Sequence, residues 1–297
     1  MKSFFYLPWW FFKAKFLGSK KPLQTVLFIS DKCNLACKHC TVYRMSNPNI
    51  KTYEKIKEEL EYSYRQGSRF VDFEGGEPTL WRDGDKDLNS LIRLSKEIGF
   101  YTATITTNAQ LPFVGSEADS IWVSLDGLGE YHDDIRGKGA FDRLVKNIET
   151  AGHPRISVNM VINSRNYVSV EDTIEFAKNN PHIQSISLNF HTPYAGTEHL
   201  FLDWEKREQV IDLIIRKKKE GYPVMNSVSG LKLMKHNDFD KQCWVSNFIM
   251  SDGTRLSECQ GKRAGICDNC GLSMAGEMNS VFSLKPDTVF AGMKLRM

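Results

Sequence analysis

The chain has 297 residues, 41% of them hydrophobic, 25% charged and 11% aromatic, with 39 basic residues against 36 acidic ones. That length and composition describe a globular chain with room for one large domain and a smaller appendage, and exclude collagen-like and low-complexity classes. A net charge of +3 is too balanced for a general nucleic-acid binder, and seven cysteines in so long a chain suit metal chemistry in a reducing compartment better than a disulfide framework.

Residues 1–22 form an arm of their own, with eight of the 34 aromatics, five lysines and no acid. Its uninterrupted apolar run, 4–12, contains Pro8 and is nine residues long, whereas a spanning helix needs about 20. No small-residue cleavage site follows, as a signal peptide would require. Two readings stand side by side: an interfacial anchor, with aromatics in lipid and lysines at headgroups, or a strap packed on the domain or a second protomer.

From residue 23 short apolar runs alternate with amphipathic stretches. The predicted strands are 25–30, 69–74, 102–107, 120–125, 155–162 and 184–189, and the predicted helices 52–66, 86–98, 141–151, 170–179 and 204–219. Tyr53, Ile56, Leu60 and Tyr64 share one face of the first helix, and Gly67 is placed to terminate it. Strands alternating with helices predict βα units on a parallel sheet, closed or partly closed into a barrel. The connection 109–119 carries Pro112 and Gly115 and is too short for a full crossover helix. The alternation fades near residue 228, and the last 70 residues show no convincing long helix. The expected division is an arm at 1–22, a barrel at 23–225 and a small metal-organised module at 226–297.

Cys33, Cys37 and Cys40 form a C-x3-C-x2-C cluster directly after the first predicted strand, at the rim where barrel enzymes place their chemistry. Three thiolates can hold three irons of a cubane cluster and leave the fourth open to a ligand. A zinc site completed by His39 is the competing reading. The second strand ends in Phe73-Glu74-Gly75-Gly76-Glu77-Pro78, where two glycines allow close backbone approach.

The paired motifs make this chain resemble the radical S-adenosylmethionine (radical SAM) enzymes, whose C-x3-C-x-aromatic-C signature and Gly-Gly-Glu-Pro turn it carries over about 23–225. The resemblance implies a partial (β/α)6 barrel of TIM type, with a 4Fe–4S cluster on Cys33, Cys37 and Cys40 and SAM on the open iron. It places the SAM amino group at Gly75, Gly76 and the Glu77–Pro78 turn, and His39 near the adenine. The segment Ile121-Trp122-Val123-Ser124-Leu125-Asp126-Gly127, followed by Arg136-Gly137, is similar to the fourth-strand region of peptide-modifying members, and by that likeness Ser124 contacts the ribose and Arg136 the carboxylate. Reductive cleavage of SAM would give a 5′-deoxyadenosyl radical that takes hydrogen from substrate.

Cys243, Cys259, Cys267 and Cys270 remain, spaced C-x15-C-x7-C-x2-C, with a hairpin predicted at Asp252-Gly253 between the first two. Four thiolates close either a structural zinc site or a second 4Fe–4S cluster. The arrangement is similar to SPASM and twitch extensions, the single-cluster twitch being nearer because only four C-terminal cysteines are present, and an auxiliary cluster would relay an electron. The expected partners are a peptide or small-molecule substrate and a low-potential reductant such as flavodoxin or ferredoxin. The expected setting is cytoplasmic, with the arm allowing peripheral contact at the inner membrane face. A lipid substrate, or a non-catalytic iron–sulfur or zinc protein that binds a partner or senses redox state, is the alternative.

Overall fold

The computed structural model describes residues 2–40, 47–289 and 291. The chain opens with helix α1 (Lys2–Phe16) and then alternates: β1 (Gln24–Ser30), α2 (Tyr53–Gln66), β2 (Phe70–Gly75), α3 (Leu88–Ile98), β3 (Thr102–Thr107) and β4 (Ser120–Ser124). It continues through α4 (Glu130–Arg136), α5 (Ala140–Thr150), β5 (Ile156–Ile162), α6 (Val170–Asn179), β6 (Ser185–Phe190) and α7 (Trp204–Lys219). The last part holds α8 (Val228–Met234), β7 (Ser246–Ile249), β8 (Arg255–Leu256), α9 (Gln260–Arg263) and α10 (Ser273–Phe282).

One sheet organises all of this, in the order β6-β5-β4-β3-β2-β1-β7-β8. Every pairing is parallel except β7 with β8. Alternation within the strands sorts side chains onto its two faces. Val71, Phe73, Ile105, Ile121, Val123 and Leu188 turn to the helices and pack with Ile56, Leu60, Leu91, Leu144, Ile174 and Ile211. The opposite face carries Asp72, Glu74, Thr106, Trp122, Ser124, Asn159 and Asn189, all only partly buried. The sheet therefore has one greasy face for stability and one polar, reachable face.

Local signals set the helix ends. The Thr52 hydroxyl accepts from Lys55 N and starts α2, and Asp87 forms a capping box with Ser90 at α3. No helix occurs in 109–119. The hairpin forms as β7 and β8, turning at Gly253 with φ of +91°. Its first strand, however, lies parallel to β1 and extends the main sheet.

Among the described residues the longest helix in the last 70 residues is α10, with ten residues. Its sequence holds Gly276, an interior residue that weakens helix propensity and obscures the pattern. Packing explains the glycine: a Cβ there would lie 2.6 Å from the Gly230 carbonyl oxygen, so α8 and α10 meet backbone against side-chain-free backbone. The charged segment 130–136 is a helix, α4, whose His132, Ile135 and Arg136 are buried.

Candidate functional site

The C-terminal ends of the parallel strands share one rim, and the loop from Asp31 to Cys40 crosses it. Backbone contacts lock that loop to the Gly-Gly turn: Gly76 N donates to Ser30 O at 2.7 Å and Glu77 N to Lys32 O at 2.8 Å. A Cβ on Gly75 would sit 2.2 Å from Ser30 O, and one on Gly76 2.3 Å from Lys32 O. The two glycines are thus required by the approach of the cysteine loop itself. Glu77 is 1% exposed, and its carboxylate accepts from Thr79 Oγ1 and Thr107 Oγ1 at 2.6 Å each and from Asn108 N at 2.7 Å. Its side chain ties the turn to the end of β3; Pro78 starts a single 3-10 turn behind it.

Two nitrogen donors aim at the sulfurs. Asn108 Nδ2 lies 3.8 Å from Cys33 Sγ, and Arg136 Nη1 lies 3.8 Å from Cys37 Sγ. Burial, opposed by Arg136, pushes the Cys37 thiol up to about 11. A sulfur in that setting stays protonated unless a metal takes the proton's place, and a thiolate then gains charge-assisted contacts from both donors. Three thiols on one short loop with N–H groups directed at two of them fit a sulfur-ligated cluster.

Arg136 also donates from Nε to Asp126 Oδ2 at 2.7 Å. Asp126 is fully buried, accepts from Val161 N at 3.0 Å, and stands 3.8 Å from His39 Nε2. Burial works against its carboxylate, but Arg136, His39, His132 and the Val161 N–H together outweigh burial, and the pKa falls below the usual range. Burial lowers His39 to about 4, so its ring is neutral near pH 7, and Nδ1 has no hydrogen-bond partner among the described residues. Asp126 is therefore the buried counter-charge of Arg136. Ser124 lies half-buried at the end of β4, in register with Asn159.

Sequence reasoning passed over Asp72 and Glu74. They project from β2 onto the polar face, with Thr104 Oγ1 donating to Asp72 at 2.9 Å. Burial and the adjacent Asp72 carboxylate hold Glu74 well above the usual carboxylate range. The signal was their alternation with Val71 and Phe73, which marks a second face of the strand.

The four C-terminal cysteines come together. Cys243, Cys259, Cys267 and Cys270 line one cavity with Thr192, Tyr194, Lys241 and Ile266. A hydrogen bond from Cys243 pulls the Cys259 thiol down, and the same contact raises Cys243. Among the described residues no three His, Cys, Asp or Glu side chains close on a single metal ion. Beside the cavity, Arg207 is fully buried between the rings of Phe190 and Trp204 and donates from Nη2 to Cys270 O at 2.9 Å. Its Nε and Nη1 find no partner among the described residues, and burial lowers it to about 10. An unpaired buried cation next to four thiols calls for negative charge in that cavity. Its position three, four and seven residues before Val210, Ile211 and Ile214 placed it on the apolar face of α7, a signal available in the sequence.

The loop after β6 joins the two cysteine sites. Thr192 Oγ1 accepts from Gly271 N at 2.9 Å on the C-terminal side, while the neighbouring His191 is close enough to His39 to lower its pKa.

A profile of the radical SAM superfamily matches residues 27–177. The chain belongs to this superfamily. Fe-coproporphyrin III synthase of Methanosarcina barkeri (strain Fusaro / DSM 804) is 30% identical over 290 residues, covering 86% of this chain and 67% of the relative. Mycofactocin maturase MftC of Mycolicibacterium smegmatis (strain ATCC 700084 / mc(2)155) is 28% identical over 54% of this chain, which spans only 42% of that relative. Streptococcus suis SuiB bound to SAM superposes with a TM-score of 0.65 at 19% identity, over 82% of this chain and 61% of SuiB. That likeness shows the fold, an α/β chain with a mostly parallel sheet. The protein is a radical SAM enzyme, and membership implies a 4Fe–4S cluster and SAM. The family match stops short of Cys243, so the second cysteine group lies beyond what membership covers.

Proposed function

We propose that this radical SAM enzyme holds its SAM-binding 4Fe–4S cluster on Cys33, Cys37 and Cys40 and an auxiliary 4Fe–4S cluster on Cys243, Cys259, Cys267 and Cys270, in a module beginning near residue 226. The observation that carries the second cluster is the single cavity lined by all four thiols beside the buried Arg207 guanidinium, whose Nε and Nη1 find no partner among the described residues. When bound, the first cluster supplies the electron that cleaves SAM, so that a carbon radical takes hydrogen from substrate and the second cluster accepts or passes on an electron.

The residues do the positioning. The Gly75–Pro78 turn presents backbone to the SAM amino group, and Glu77 fixes that turn through Thr79, Thr107 and Asn108. His39, neutral and half-enclosed by Asp126, offers a flat ring to the adenine. Ser124 stands at the rim for the ribose. Arg136 meets the SAM carboxylate while keeping Asp126 and Cys37 as partners.

A peptide is the substrate class the polar face fits best. Asp72, Glu74, Asn159 and Asn189 line that face with groups able to hydrogen-bond amides and amines. SuiB has been solved with its precursor peptide SuiA, at a TM-score of 0.64 and 19% identity over 91% of this chain. A flavodoxin- or ferredoxin-type protein would supply the electrons.

Anaerobic reconstitution with iron, sulfide and a reductant tests this. The protein should bind about eight irons and turn SAM into 5′-deoxyadenosine and methionine. Replacing Cys33, Cys37 and Cys40 together by Ala should abolish cleavage and leave about four irons. Cleavage surviving in that variant would sink the first assignment; about four irons and one zinc in the unmodified protein would make the C-terminal site structural.

A further inference from the structure

Helix α1 is apolar on two faces, and the described residues cover one of them. Trp10 is 7% exposed and donates from Nε1 to Lys21 O at 2.9 Å, while Tyr6 donates from its hydroxyl to Gly67 O at 2.8 Å. The covered face packs with Leu23, Phe70, Tyr101 and Val245. The outer face presents Phe5, Trp9, Phe12 and Phe16, which are 69%, 52%, 44% and 60% exposed. At the helical period these four fall within an arc of about 60°, with Lys13 on one side of it and Lys15 on the other. Both lysines, and Lys20 and Lys21 beyond them, are exposed, and no acid occurs before Asp31.

The place of α1 in the fold matters as much as its surface. Leu23, Phe70, Tyr101 and Val245 immediately precede or begin β1, β2, β3 and β7. Because these strands are parallel, α1 covers the N-terminal end of the sheet, and the cysteine loop lies at the other end, about 20 Å away along β1.

We propose that the outer face of α1 docks on an anionic lipid surface and holds the barrel with its cysteine rim turned away from the bilayer. Aromatic side chains enter the interface while the flanking lysines meet acidic headgroups. The charge pattern selects this occupant over a second copy of the chain, since two such faces stacked together would set lysine against lysine. No described helix is long and apolar enough to cross a membrane, so the contact is peripheral. One consequence concerns substrate: it reaches the rim from the aqueous side, which a peptide can do and a lipid embedded in the same bilayer cannot. The proposal stands on α1 alone and does not depend on the auxiliary cluster or on catalysis.

The test uses the full chain and extruded vesicles. It should sediment with phosphatidylcholine–phosphatidylglycerol vesicles, less with pure phosphatidylcholine, and less again in high salt. Lys13→Glu with Lys15→Glu should weaken binding by more than about fivefold per position, the share each lost lysine contributes. The combination Phe5→Ser, Trp9→Ser, Phe12→Ser and Phe16→Ser should abolish sedimentation while the protein keeps its cooperative melting transition, because those side chains are largely exposed. Brominated acyl chains should quench less fluorescence in Trp9→Phe than in Trp10→Phe. A donor dye introduced as an unnatural amino acid at position 198, on the rim, should transfer to headgroup acceptors less than one at position 20. Failure to sediment with anionic vesicles, sedimentation unchanged in the fourfold variant, or a dimer in solution that the fourfold variant dissolves would each overturn docking. Equal transfer from the two dye positions would overturn the orientation.

Discussion

The contact between Arg136 and Asp126 shows how a charged residue in a loop-like sequence becomes structural. Both lie next to a sharp turn among other charges, and nothing local distinguishes them from Asp134, which pairs with Lys38 and Arg165 at the surface. In the fold they are buried together, so either one alone is a charge without a partner. Replacing Arg136 by Met should therefore cost roughly 3–5 kcal/mol, and adding Asp126→Asn should recover a large part of that loss. Urea midpoints of the four proteins in the cycle measure the coupling, and additive effects would show the pair to be independent. The pH dependence has a definite sign: the folded Asp126 pKa is below its unfolded value, so the contribution of the pair is complete above about pH 4 and is lost as acid protonates the carboxylate. Glu77 teaches the same lesson. Its motif position marks it in the sequence, yet its carboxylate is consumed by Thr79, Thr107 and Asn108.

At the level of elements, the strands and the long helices were legible because each carries its own period. Helices 170–179 and 204–219 and strand 102–107 appear with the boundaries their patterns predict. Helix α1 was not assigned as a helix, since apolar residues on nearly every side and Pro8 hide its periodicity; it is the docked face that makes it one. Helices α4 and α10 were missed because one is short and charged and the other contains a glycine that only a neighbouring backbone explains. The Gly-Gly turn can be tested as an element. Gly76 has no left-handed φ, so space alone demands it, and Gly76→Ala must push the Lys32 carbonyl and the cysteine loop away. The cost should be about 1–3 kcal/mol, with iron uptake at the three-cysteine site falling while the circular dichroism of the barrel stays. Full iron loading in that variant would show that the loop tolerates the shift.

For the whole molecule, the C-terminal third is part of the sheet. Strand β7 covers the edge of β1 from Gln24 to Leu27, and Asn247 Oδ1 accepts from Thr25 Oγ1 at 2.6 Å and from Ser68 Oγ at 3.1 Å. Ending the chain before residue 240 should therefore expose a parallel strand edge and give oligomers or aggregates by size exclusion; a monomeric truncated chain that still takes up iron would show the barrel to be independent of its extension. The sequence by itself determined the alternation of strands and helices, the three-cysteine loop with its Gly-Gly-Glu-Pro turn, and the division of seven cysteines into three and four, because spacing and period are properties of neighbours along the chain. Only the tertiary structure decided that β7 pairs with β1, that Arg136 belongs to Asp126, that Arg207 is buried against the Cys270 carbonyl, and that α1 lies at the end of the sheet opposite the cysteines. Apart from the Arg136–Asp126 pair, which is ten residues apart, those facts join residues far apart in sequence, and burial, which assigns a charge its partner and a helix its covered face, exists only once the chain has closed on itself.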